Sequence, residues 1–329
     1  MTKAVGILGV GNYLPQRVLT NYELEKMVDT TDEWIVQRTG IKERHIVAPE
    51  EATSDMALHA AQMALQDAGV AAEELDLIVL ATATPDHAFP STACIVQNAL
   101  GATKAAAFDL GAGCTGFVYA ATVAAQFIMA GSYKKVLVIG AETVSRILDW
   151  QDRNTCVLFG DGAGAAVLGE VEEGYGILGM DLGSDGSGAP LLYQPAGGSR
   201  KPASAETVQA HEHFVSMNGN EVFKFAIKIM GKTAKKSLAA AGLTEHDIDI
   251  LVPHQANLRI IQSAAKHFKM PMERVWVNVD KYSNTSAACI PIALTEMQQK
   301  GAMKKGDVLL LVAFGAGLTW GSIVLKWSK

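Results

Sequence analysis

One cysteine lies where a chain could turn a thiol into a nucleophile. Cys114 is part of FDLGAGCTGFVYA, residues 108–120, in which a glycine-rich turn runs into a long apolar segment. At a helix start, unpaired amide groups and the helix dipole lower the pKa of a thiol, and the same amides can hold an oxyanion. A single intracellular cysteine is more often a small buried hydrophobe, so its assignment as a nucleophile depends on partners.

Two candidate partners occur downstream. His254 follows an apolar run in LVPHQANLR, and Asn284 precedes another apolar stretch in YSNTSAA. Alone, such a histidine is usually structural and such an asparagine usually caps a helix. A thiol, an imidazole and an amide together suit a decarboxylating Claisen condensation, because the thiol exchanges with a thioester and two N–H donors stabilise the enolate left by CO2.

An internal repeat indicates the elements that must position these residues. Residues 64–79 (ALQDAGVAAEELDLIV) and 237–252 (SLAAAGLTEHDIDILV) align without gaps, and each is typical of a helix, a glycine cap, an acidic loop and a buried strand. Residues 134–142 and 306–317 form a second such pair. We therefore expect two copies of a β/α unit, divided near Gly174, with Cys114 and Asn284 at corresponding turns that open apolar helices.

Composition sets the broad class. The 329 residues, 49% apolar and 19% charged, can bury a large core in one or two domains. The four cysteines have neither metal-ligand nor disulfide-scaffold spacing, and the N-terminus lacks the pattern of a signal peptide, so we expect a cytoplasmic protein. Residues 110–133 and 308–325 are long enough to cross a bilayer, but their glycines and polar residues favour a buried helix and a pair of strands.

Several motifs resemble those of a known family. They are DEWIVQRTGI (32–41), HAFPS (87–91), FGDGAGAAVL (159–168), GNEVFK (219–224), VPHQANLRI (252–260), NTSAA (284–288) and AFGAGLTWGS (313–322). With them the chain resembles the β-ketoacyl-acyl carrier protein synthase III family of the thiolase superfamily, which starts type II fatty acid synthesis.

The resemblance implies an α/β, thiolase-like fold with five αβαβα layers in two pseudo-symmetric halves. Residues 1–174 would carry the nucleophilic cysteine, and residues 175–329 the histidine and the asparagine. The implied reaction condenses a short-chain acyl-CoA with malonyl-acyl carrier protein through an acyl-Cys114 intermediate, releasing CO2 and CoA. It uses no metal or other cofactor, and the family forms homodimers.

The resemblance also assigns residues around the catalytic three. Phe314 would lie over the site, and Ala316 would supply an oxyanion-hole amide, although the family commonly has three glycines where this chain has Gly315, Ala316 and Gly317. Alanine keeps the N–H group, provided that its backbone angles are open to a residue with a Cβ. Phe89 would reach the acyl pocket, either that of its own subunit or that of the neighbouring subunit.

Acyl-CoA binding is implied for Trp34 and Arg153 on either side of the adenine ring, Arg38 near the phosphates, and Gly219 and Asn220 along the pantetheine channel. The sequence predicts a capping box between Thr30 and Glu33, which would place Trp34 and Arg38 one turn apart on one helical face. Exposed surface packing is the alternative for this Trp and Arg set.

A basic stripe could receive the acidic carrier protein. The chain has a net charge of −6, so docking would need a local positive patch. Lys224, Lys228, Lys232 and Lys235 recur at helical spacing, and the resemblance adds a docking segment near the site entrance; a solvated helix face is the alternative. The predicted carrier-protein contacts are Gln255, Ala256, Asn257, Leu258, Arg259, Lys224 and Lys228.

Other functions receive less support from the sequence. A related condensing enzyme of secondary metabolism would share the motifs, and a cysteine-dependent thioester hydrolase would use histidine, oriented by asparagine, as the base for water. GVGNYLP lacks the third glycine of a dinucleotide-binding turn, HEH at 211–213 is more typical of solvated histidines than of a metal site, and nucleic acid is not expected.

Overall fold

Strands and helices alternate through residues 3–329, which a computed structural model describes. The strands are β1 (Val5–Tyr13), β2 (Arg17–Thr20), β3 (Glu43–Ile46), β4 (Leu77–Ala81), β5 (Ala106–Leu110), β6 (Val136–Glu142), β7 (Gly162–Glu170), β8 (Gly176–Ser184), β9 (Leu192–Tyr193), β10 (Ser216–Met217), β11 (Ile250–Pro253), β12 (Val308–Gly315) and β13 (Thr319–Lys326). The α-helices are α1 (Asn21–Leu24), α2 (Asp32–Thr39), α3 (Thr53–Ala68), α4 (Thr92–Leu100), α5 (Gly116–Met129), α6 (Arg153–Cys156), α7 (Ala205–Gln209), α8 (Gly219–Ala240), α9 (Leu258–His267), α10 (Val279–Tyr282) and α11 (Cys289–Gln299).

Two sheets with matching strand order form the frame. The first has the order β1-β7-β6-β4-β5, and the second has the order β8-β13-β12-β11. In both, the first three strands are antiparallel to their neighbours and the next pair is parallel. In the second sheet, an isolated parallel bridge between Leu251 and Val275 takes the place of the pairing that β5 makes in the first sheet. The two sheets therefore repeat one pairing scheme; the division near Gly174, between β7 and β8, stays a prediction.

Side chains on both faces of each sheet are buried, which produces five layers. In β4, Leu77 and Val79 face a central core with α5 and α11, whereas Ile78 and Leu80 face α3 and α4. In β12 the same alternation separates the central core from an outer core with α8 and α9. Strands buried on both faces have continuous apolar sequences, which explains their runs of Val, Ile and Leu. The expected α/β fold with αβαβα layers is confirmed.

The structure assigns the two long apolar stretches to the protein core. The first comprises the end of β5, a turn and the buried helix α5, and the second forms the hairpin of β12 and β13. Within residues 3–329, no helix has the length and apolar character needed to span a membrane.

Helix α2 begins one residue later than the sequence indicated. Its N-cap is Thr31, whose hydroxyl accepts the Trp34 backbone N–H at 3.1 Å. The predicted capping box between Thr30 and Glu33 is therefore wrong, because adjacent threonines offer two possible caps and the second one has the extended backbone of a cap. Trp34 and Arg38 nevertheless lie one turn apart, as expected, because both remain within the helix.

Two matching 3₁₀ turns open the central helices. Gly113–Thr115 leads into α5 and Ser286–Ala288 leads into α11, and each turn begins with a left-handed residue, Gly113 at φ 51° and Ser286 at φ 50°. When the turns are aligned on these residues, Cys114 matches Ala287. The expectation that Cys114 and Asn284 occupy corresponding positions is therefore wrong by three residues, because Asn284 precedes its turn and Cys114 lies within its own.

Candidate active site

A cavity of about 940 Å³ brings the three predicted catalytic residues together. Cys114 comes from the turn before α5, His254 from the loop after β11, and Asn284 from the segment before α11. The ends of parallel strands and the starts of helices thus converge here, as in other α/β proteins. The predicted residues that also line this cavity are Trp34, Arg38, Arg153, Gly219, Asn220, Ala256, Asn257 and Phe314.

The Cys114 turn is packed tightly against the end of β12. A Cβ on Gly315 would lie 2.8 Å from the Cys114 backbone nitrogen and 3.0 Å from that of Thr115, so only glycine fits. The Thr115 and Thr319 hydroxyls are hydrogen-bonded, and the Thr319 hydroxyl also donates to the Ala112 carbonyl at 3.1 Å. These contacts fix the height of the thiol at the cavity floor.

Burial dominates the electrostatics of the thiol. Cys114 is half-buried at the cavity floor, and desolvation raises its pKa to about 12. The net shift is opposite to the one expected from the helix start, because desolvation outweighs the lowering by the local backbone N–H. A thiol with a raised pKa needs a proton acceptor to become a nucleophile.

His254 is held neutral and unpaired. Its backbone N–H donates to the Val312 carbonyl at 2.8 Å, which continues the pairing of β11 with β12. The side chain is 1% exposed, and burial lowers its pKa to about 3. Neither ring nitrogen has a hydrogen-bond partner among the described residues, and the Phe314 ring meets the imidazole edge to face at 5.4 Å. A neutral imidazole with free nitrogens can donate one N–H group to a ligand.

Gln255 fastens the loop that carries His254. It donates to the carbonyls of Pro253 and Trp276 at 2.9 and 3.0 Å, and it accepts the backbone N–H groups of Asn278 and Val279 at 2.9 and 3.1 Å. The side chain is 1% exposed. Its predicted contact with a carrier protein is therefore wrong, because all of its polar atoms are used inside the protein.

Asn284 is fixed through both its backbone and its carbonyl oxygen. Its backbone N–H donates to the Leu158 carbonyl at 3.0 Å, and its own carbonyl accepts from Gly160 at 3.1 Å. The side-chain Oδ1 accepts the Ser286 backbone N–H at 2.9 Å. Within the described chain, the Nδ2 group donates to no residue, so this N–H pair is the part of the amide left for a ligand.

Two polar residues beside the catalytic three were missed by the sequence analysis. Ser286 lies in the turn that packs against the Cys114 turn, and its hydroxyl donates to Oε1 of Glu142 at 2.9 Å. Glu142 ends β6 and is 0% exposed. A carboxylate that terminates the apolar run KKVLVIGAE is unusual in a strand buried on both faces, and this signal could have drawn attention to it.

The C-terminal loop differs in detail from its expected role. Phe314 lies over the cavity as expected, but Gly315 rather than Ala316 is among the residues that line it. Ala316 packs on the Cys114 turn, where a Cβ on Gly113 would lie 3.1 Å from the Ala316 nitrogen. Among residues 3–329, the non-glycine residues with positive φ do not include Ala316, so alanine is compatible with this backbone. Its oxyanion-hole role stays a prediction.

Basic and aromatic side chains meet at the cavity mouth. The guanidinium carbons of Arg38 and Arg153 lie 4.4 and 5.2 Å from the centre of the Trp34 ring. An intervening adenine would need two stacking contacts of about 3.5 Å each. The predicted sandwich of Trp34 and Arg153 therefore requires Arg153 to move outward, away from its hydrogen bond to the Asp29 carbonyl at 2.9 Å.

The remaining predicted site residues lie outside the cavity. Phe89 is 87% exposed and lines no part of its own chain's cavity, so its predicted pocket role requires a second copy. Lys224 and Lys228 are exposed on α8, and Arg259 is exposed with its guanidinium 5.4 Å from the Phe223 ring. Leu258 is half-buried against Gly40. Among residues 3–329 there is no group of three His, Cys, Asp or Glu side chains placed to hold a metal.

Comparison with known proteins identifies the family. Residues 108–186 match the family described as 3-oxoacyl-acyl-carrier-protein synthase III, and residues 238–327 match its C-terminal region. The β-ketoacyl-acyl-carrier-protein synthase III of Caldanaerobacter subterraneus subsp. tengcongensis is 61% identical over 326 residues, which cover 99% of this chain and 98% of the relative. The chain belongs to the β-ketoacyl-acyl carrier protein synthase III family.

Solved structures agree with this membership. The synthase III of Aquifex aeolicus has a TM-score of 0.91 at 48% identity, covering 98% of this chain and all of that one. A priming β-ketosynthase of a polyketide pathway has a TM-score of 0.92 at 36% identity, covering 100% and 97%. The expected thiolase-like fold is confirmed. The expectation that the chain is an acyltransferase for the initiating condensation of fatty acid synthesis is confirmed as well.

Proposed function

We propose that this synthase III family member condenses a short-chain acyl-CoA with malonyl-acyl carrier protein, with Cys114 as nucleophile and His254 and Asn284 as donors to the enolate. The convergence of these three side chains on one cavity is the observation that carries the proposal. The proposed reaction uses no metal, redox or other cofactor, since each step needs only a nucleophile and hydrogen-bond donors.

The first half-reaction transfers the acyl group to Cys114. The thiol sulfur attacks the thioester carbonyl, the bond to the CoA sulfur breaks, and CoA leaves with the proton that the thiol gave up. Exchange of one thioester for another is nearly isoenergetic, so a cysteine suits this step. The Cys114 backbone N–H, which lies against Gly315, would be close to the carbon that reacts.

The second half-reaction forms the carbon–carbon bond. Loss of CO2 from the malonyl group leaves an enolate whose oxygen accepts from an N–H of neutral His254 and from Nδ2 of Asn284. The enolate carbon then attacks the acyl carbon, and the Cys114 sulfur leaves as a thiolate that takes up a proton from water. Because burial keeps the pKa of His254 at about 3, its imidazole is a donor without being a cation, and the adjacent Phe314 ring limits access of water.

The arrangement supports condensation rather than hydrolysis. A cysteine hydrolase would orient His254 through Asn284, so that the imidazole could activate water. The Oδ1 atom of Asn284 instead accepts the Ser286 N–H, and among the described residues neither ring nitrogen of His254 has a partner. The polyketide ketosynthase is 36% identical to this chain, against 61% for the synthase III of Caldanaerobacter subterraneus subsp. tengcongensis, so fatty acid synthesis is also favoured over secondary metabolism.

Acyl-CoA would bind along the mouth of the cavity. Trp34, Arg38 and Arg153 offer an aromatic face and two cations to an adenine nucleotide, once Arg153 has moved outward. Gly219 and Asn220, at the start of α8, line the same cavity and would flank the pantetheine arm.

The carrier protein would dock on α8 and the start of α9. Lys224, Lys228 and Arg259 are exposed there, beside the cavity that contains Phe223. Since electrostatic docking depends on local charge, Lys228→Glu should raise the KM for malonyl-acyl carrier protein about tenfold and leave the KM for malonyl-CoA unchanged. Lys304→Glu, beyond the opposite end of β12, is the matched control, and equal effects of the two variants would remove the docking proposal.

A homodimer would complete the acyl pocket. Strand β5 forms one edge of the first sheet, is only partly buried, and lies close in sequence to the exposed Phe89. An apolar edge strand is a template for pairing with another chain. Sedimentation of the protein tests this expectation, and a monomer at micromolar concentration would contradict it. The cytoplasmic location expected from four unpaired cysteines stays a prediction.

Intact-protein mass spectrometry after incubation with straight and branched acyl-CoAs tests the proposed function. Without malonyl substrate, we expect one acyl adduct on Cys114, located by peptide mapping, and no adduct on Cys114→Ala. Addition of malonyl-acyl carrier protein should remove the adduct as a 3-oxoacyl product. Absence of an adduct with every acyl-CoA, in folded protein, would refute a CoA thioester as donor.

A further inference from the structure

A buried carboxylate beside the nucleophile has no role in the proposed mechanism. We propose that Glu142 is a positioning residue that, through the Ser286 hydroxyl, draws the proton from the Cys114 thiol during acylation. This inference rests on the proposed function of Cys114 as nucleophile. The turns that carry Cys114 and Ser286 pack against each other, and the Ser286 hydroxyl donates to Oε1 of Glu142 at 2.9 Å.

The surroundings of Glu142 are those of an anion. Its Oε2 accepts from the Thr84 hydroxyl at 2.7 Å, the Ala83 backbone N–H at 3.0 Å and the Thr82 hydroxyl at 3.3 Å. Thr82 and Thr84 also accept backbone N–H groups, from Thr84 and Thr143, so their hydroxyl protons remain for the carboxylate. All four groups that contact Glu142 donate to it in this arrangement, which suits an ionised carboxylate.

The Ser286 hydroxyl has one proton and two neighbours that could accept it. When Glu142 is ionised, the carboxylate takes that proton, and only the oxygen lone pairs face Cys114. The thiol is then the donor to Ser286. As the sulfur attacks the thioester, its proton can pass to the Ser286 oxygen while the Ser286 proton passes to Glu142, which becomes a neutral carboxylic acid.

This route is favoured over a proton transfer to His254 because it creates no separated pair of charges. A thiolate and an imidazolium would be two new charges in a site where burial holds the thiol pKa at about 12 and the imidazole pKa at about 3. Moving a proton to Glu142 creates no charge, because the negative charge moves from the carboxylate to the sulfur. Burial also raises the pKa of Glu142, against its four hydrogen bonds, which brings its proton affinity closer to that of a thiol.

The proton and electron count closes within acylation. The thiol proton ends on Glu142, the sulfur electron pair forms the bond to the acyl carbon, and the bond to the CoA sulfur breaks. The CoA thiolate then receives the proton back through Ser286, so Glu142 is ionised again when acylation ends. No oxidant or other reactant is required.

The backbone of Ser286 is an independent indication of function. Its φ of 50° is left-handed, which costs a residue with a Cβ about 1 kcal/mol. Such a conformation persists where the surroundings enforce it, and it is concentrated at functional sites. Here it directs the hydroxyl to Glu142 and the backbone N–H to Asn284, so that one residue orients both halves of the site.

Single-turnover acylation, followed by mass spectrometry across a pH range, tests the proposal. Glu142→Gln keeps the shape but cannot hold the charge, and we expect acylation about 100-fold slower near neutral pH. Ser286→Ala should show a similar loss, and the double variant should be no slower than either single variant. The deficit should shrink toward high pH, where direct ionisation of Cys114 supplies the thiolate.

A merely structural role for Glu142 would look different. It would change the affinity for acyl-CoA, slow both half-reactions, or give a deficit independent of pH, and any of these results would overturn the proposal. Wild-type rates in both variants would overturn it as well. Thr295→Val is the matched control, because it removes a buried hydroxyl from α11, the helix that follows the Ser286 turn, where the hydroxyl bonds only to the Pro291 carbonyl.

Alkylation of Cys114 by iodoacetamide gives a second measurement that requires no substrate. Slower alkylation of Ser286→Ala near neutral pH supports the proposal even if Glu142→Gln does not fold, and unchanged alkylation across the pH range contradicts it. If the unmodified protein is alkylated but never acylated, the proposed function itself has failed. If the wild-type protein is acylated and the variants are acylated equally fast, only the Glu142 inference has failed.

Discussion

The ends of β6 and β12 occupy equivalent places in the two sheets, and each contacts the turn that opens the central helix of the other copy. The residues at these two strand ends differ in kind. Leu77 pairs with Val136 in the first sheet and Ile250 pairs with Leu309 in the second, so Glu142 at the end of β6 is equivalent to Gly315 at the end of β12. Glu142 contacts the turn at Ser286, and Gly315 lies against the turn at Cys114. The same strand-to-turn contact thus brings the Glu142 carboxylate to one turn, whereas at the other turn Gly315 lets the two backbones lie close together.

A second equivalent pair shows the same division. When the alignment of the two copies is extended by two residues, His254 matches Ala81, the last residue of β4. Ala81 packs beneath the start of α5, where a Cβ on Gly116 would lie 2.8 Å away, whereas His254 faces the cavity. The repeat therefore constrains the backbone, and the chemistry depends on the side chains at which the copies differ.

The largest test of this comparison separates the two half-reactions. Cys114→Ala should slow acylation at least 1,000-fold, roughly the cost of losing a nucleophile, with the fold intact. Asn284→Ala should leave acylation within about tenfold of wild type but slow decarboxylation of a malonyl thioester by about 100-fold or more, because an enolate donor is lost. Rapid-quench measurement of both half-reactions gives the split.

Equal losses of both half-reactions in Asn284→Ala would contradict this division of labour between the copies. Retained acylation in Cys114→Ala would remove the nucleophile altogether. Circular dichroism of each variant serves as the control for folding.

The pH dependence of stability tests the difference between His254 and Ala81. His254 has a folded-state pKa of about 3, below its ordinary value of 6.5, so the unfolded chain binds the proton first as the pH falls. His254 therefore destabilises the fold below pH 6.5, by about 1.4 kcal/mol for each further pH unit until the folded pKa is reached. The free energy of unfolding of His254→Asn should fall less steeply between about pH 6.5 and pH 4.5 than that of wild type. Parallel curves would mean that His254 is charged in the folded protein.

The sequence was informative where a backbone pattern or a family motif identified a residue. Segments 64–79 and 237–252 predicted a helix, a cap and a strand in both copies, and both form as expected. The aspartates of the two acidic loops, Asp76 and Asp249, even make equivalent bonds, each accepting a backbone N–H at the start of the neighbouring strand. Repetition makes such positions predictable because the same local interactions recur.

The missed features depend on contacts between distant segments. The polar motif around Gln255 predicts a surface residue. Its side-chain amide instead makes hydrogen bonds with four backbone groups, which lie up to 24 positions away in the sequence. The offset between Cys114 and Asn284 was missed because both precede apolar helices, and only φ identifies the residue that opens each turn. Desolvation of the Cys114 thiol is likewise set by tertiary packing, which neither spacing nor composition records.

The smallest expected effect concerns the left-handed residue that opens each turn. Ser286→Gly and Ser286→Ala both remove the bond to Glu142, but only alanine retains the strain at φ 50°. We expect the glycine variant to be more stable by about 1 kcal/mol in urea unfolding. In the other copy, Gly113→Ala should lose at least this amount, since its new Cβ would also lie 3.1 Å from the Ala316 nitrogen. If alanine were tolerated equally at both positions, the two turns would not share the backbone on which their comparison rests.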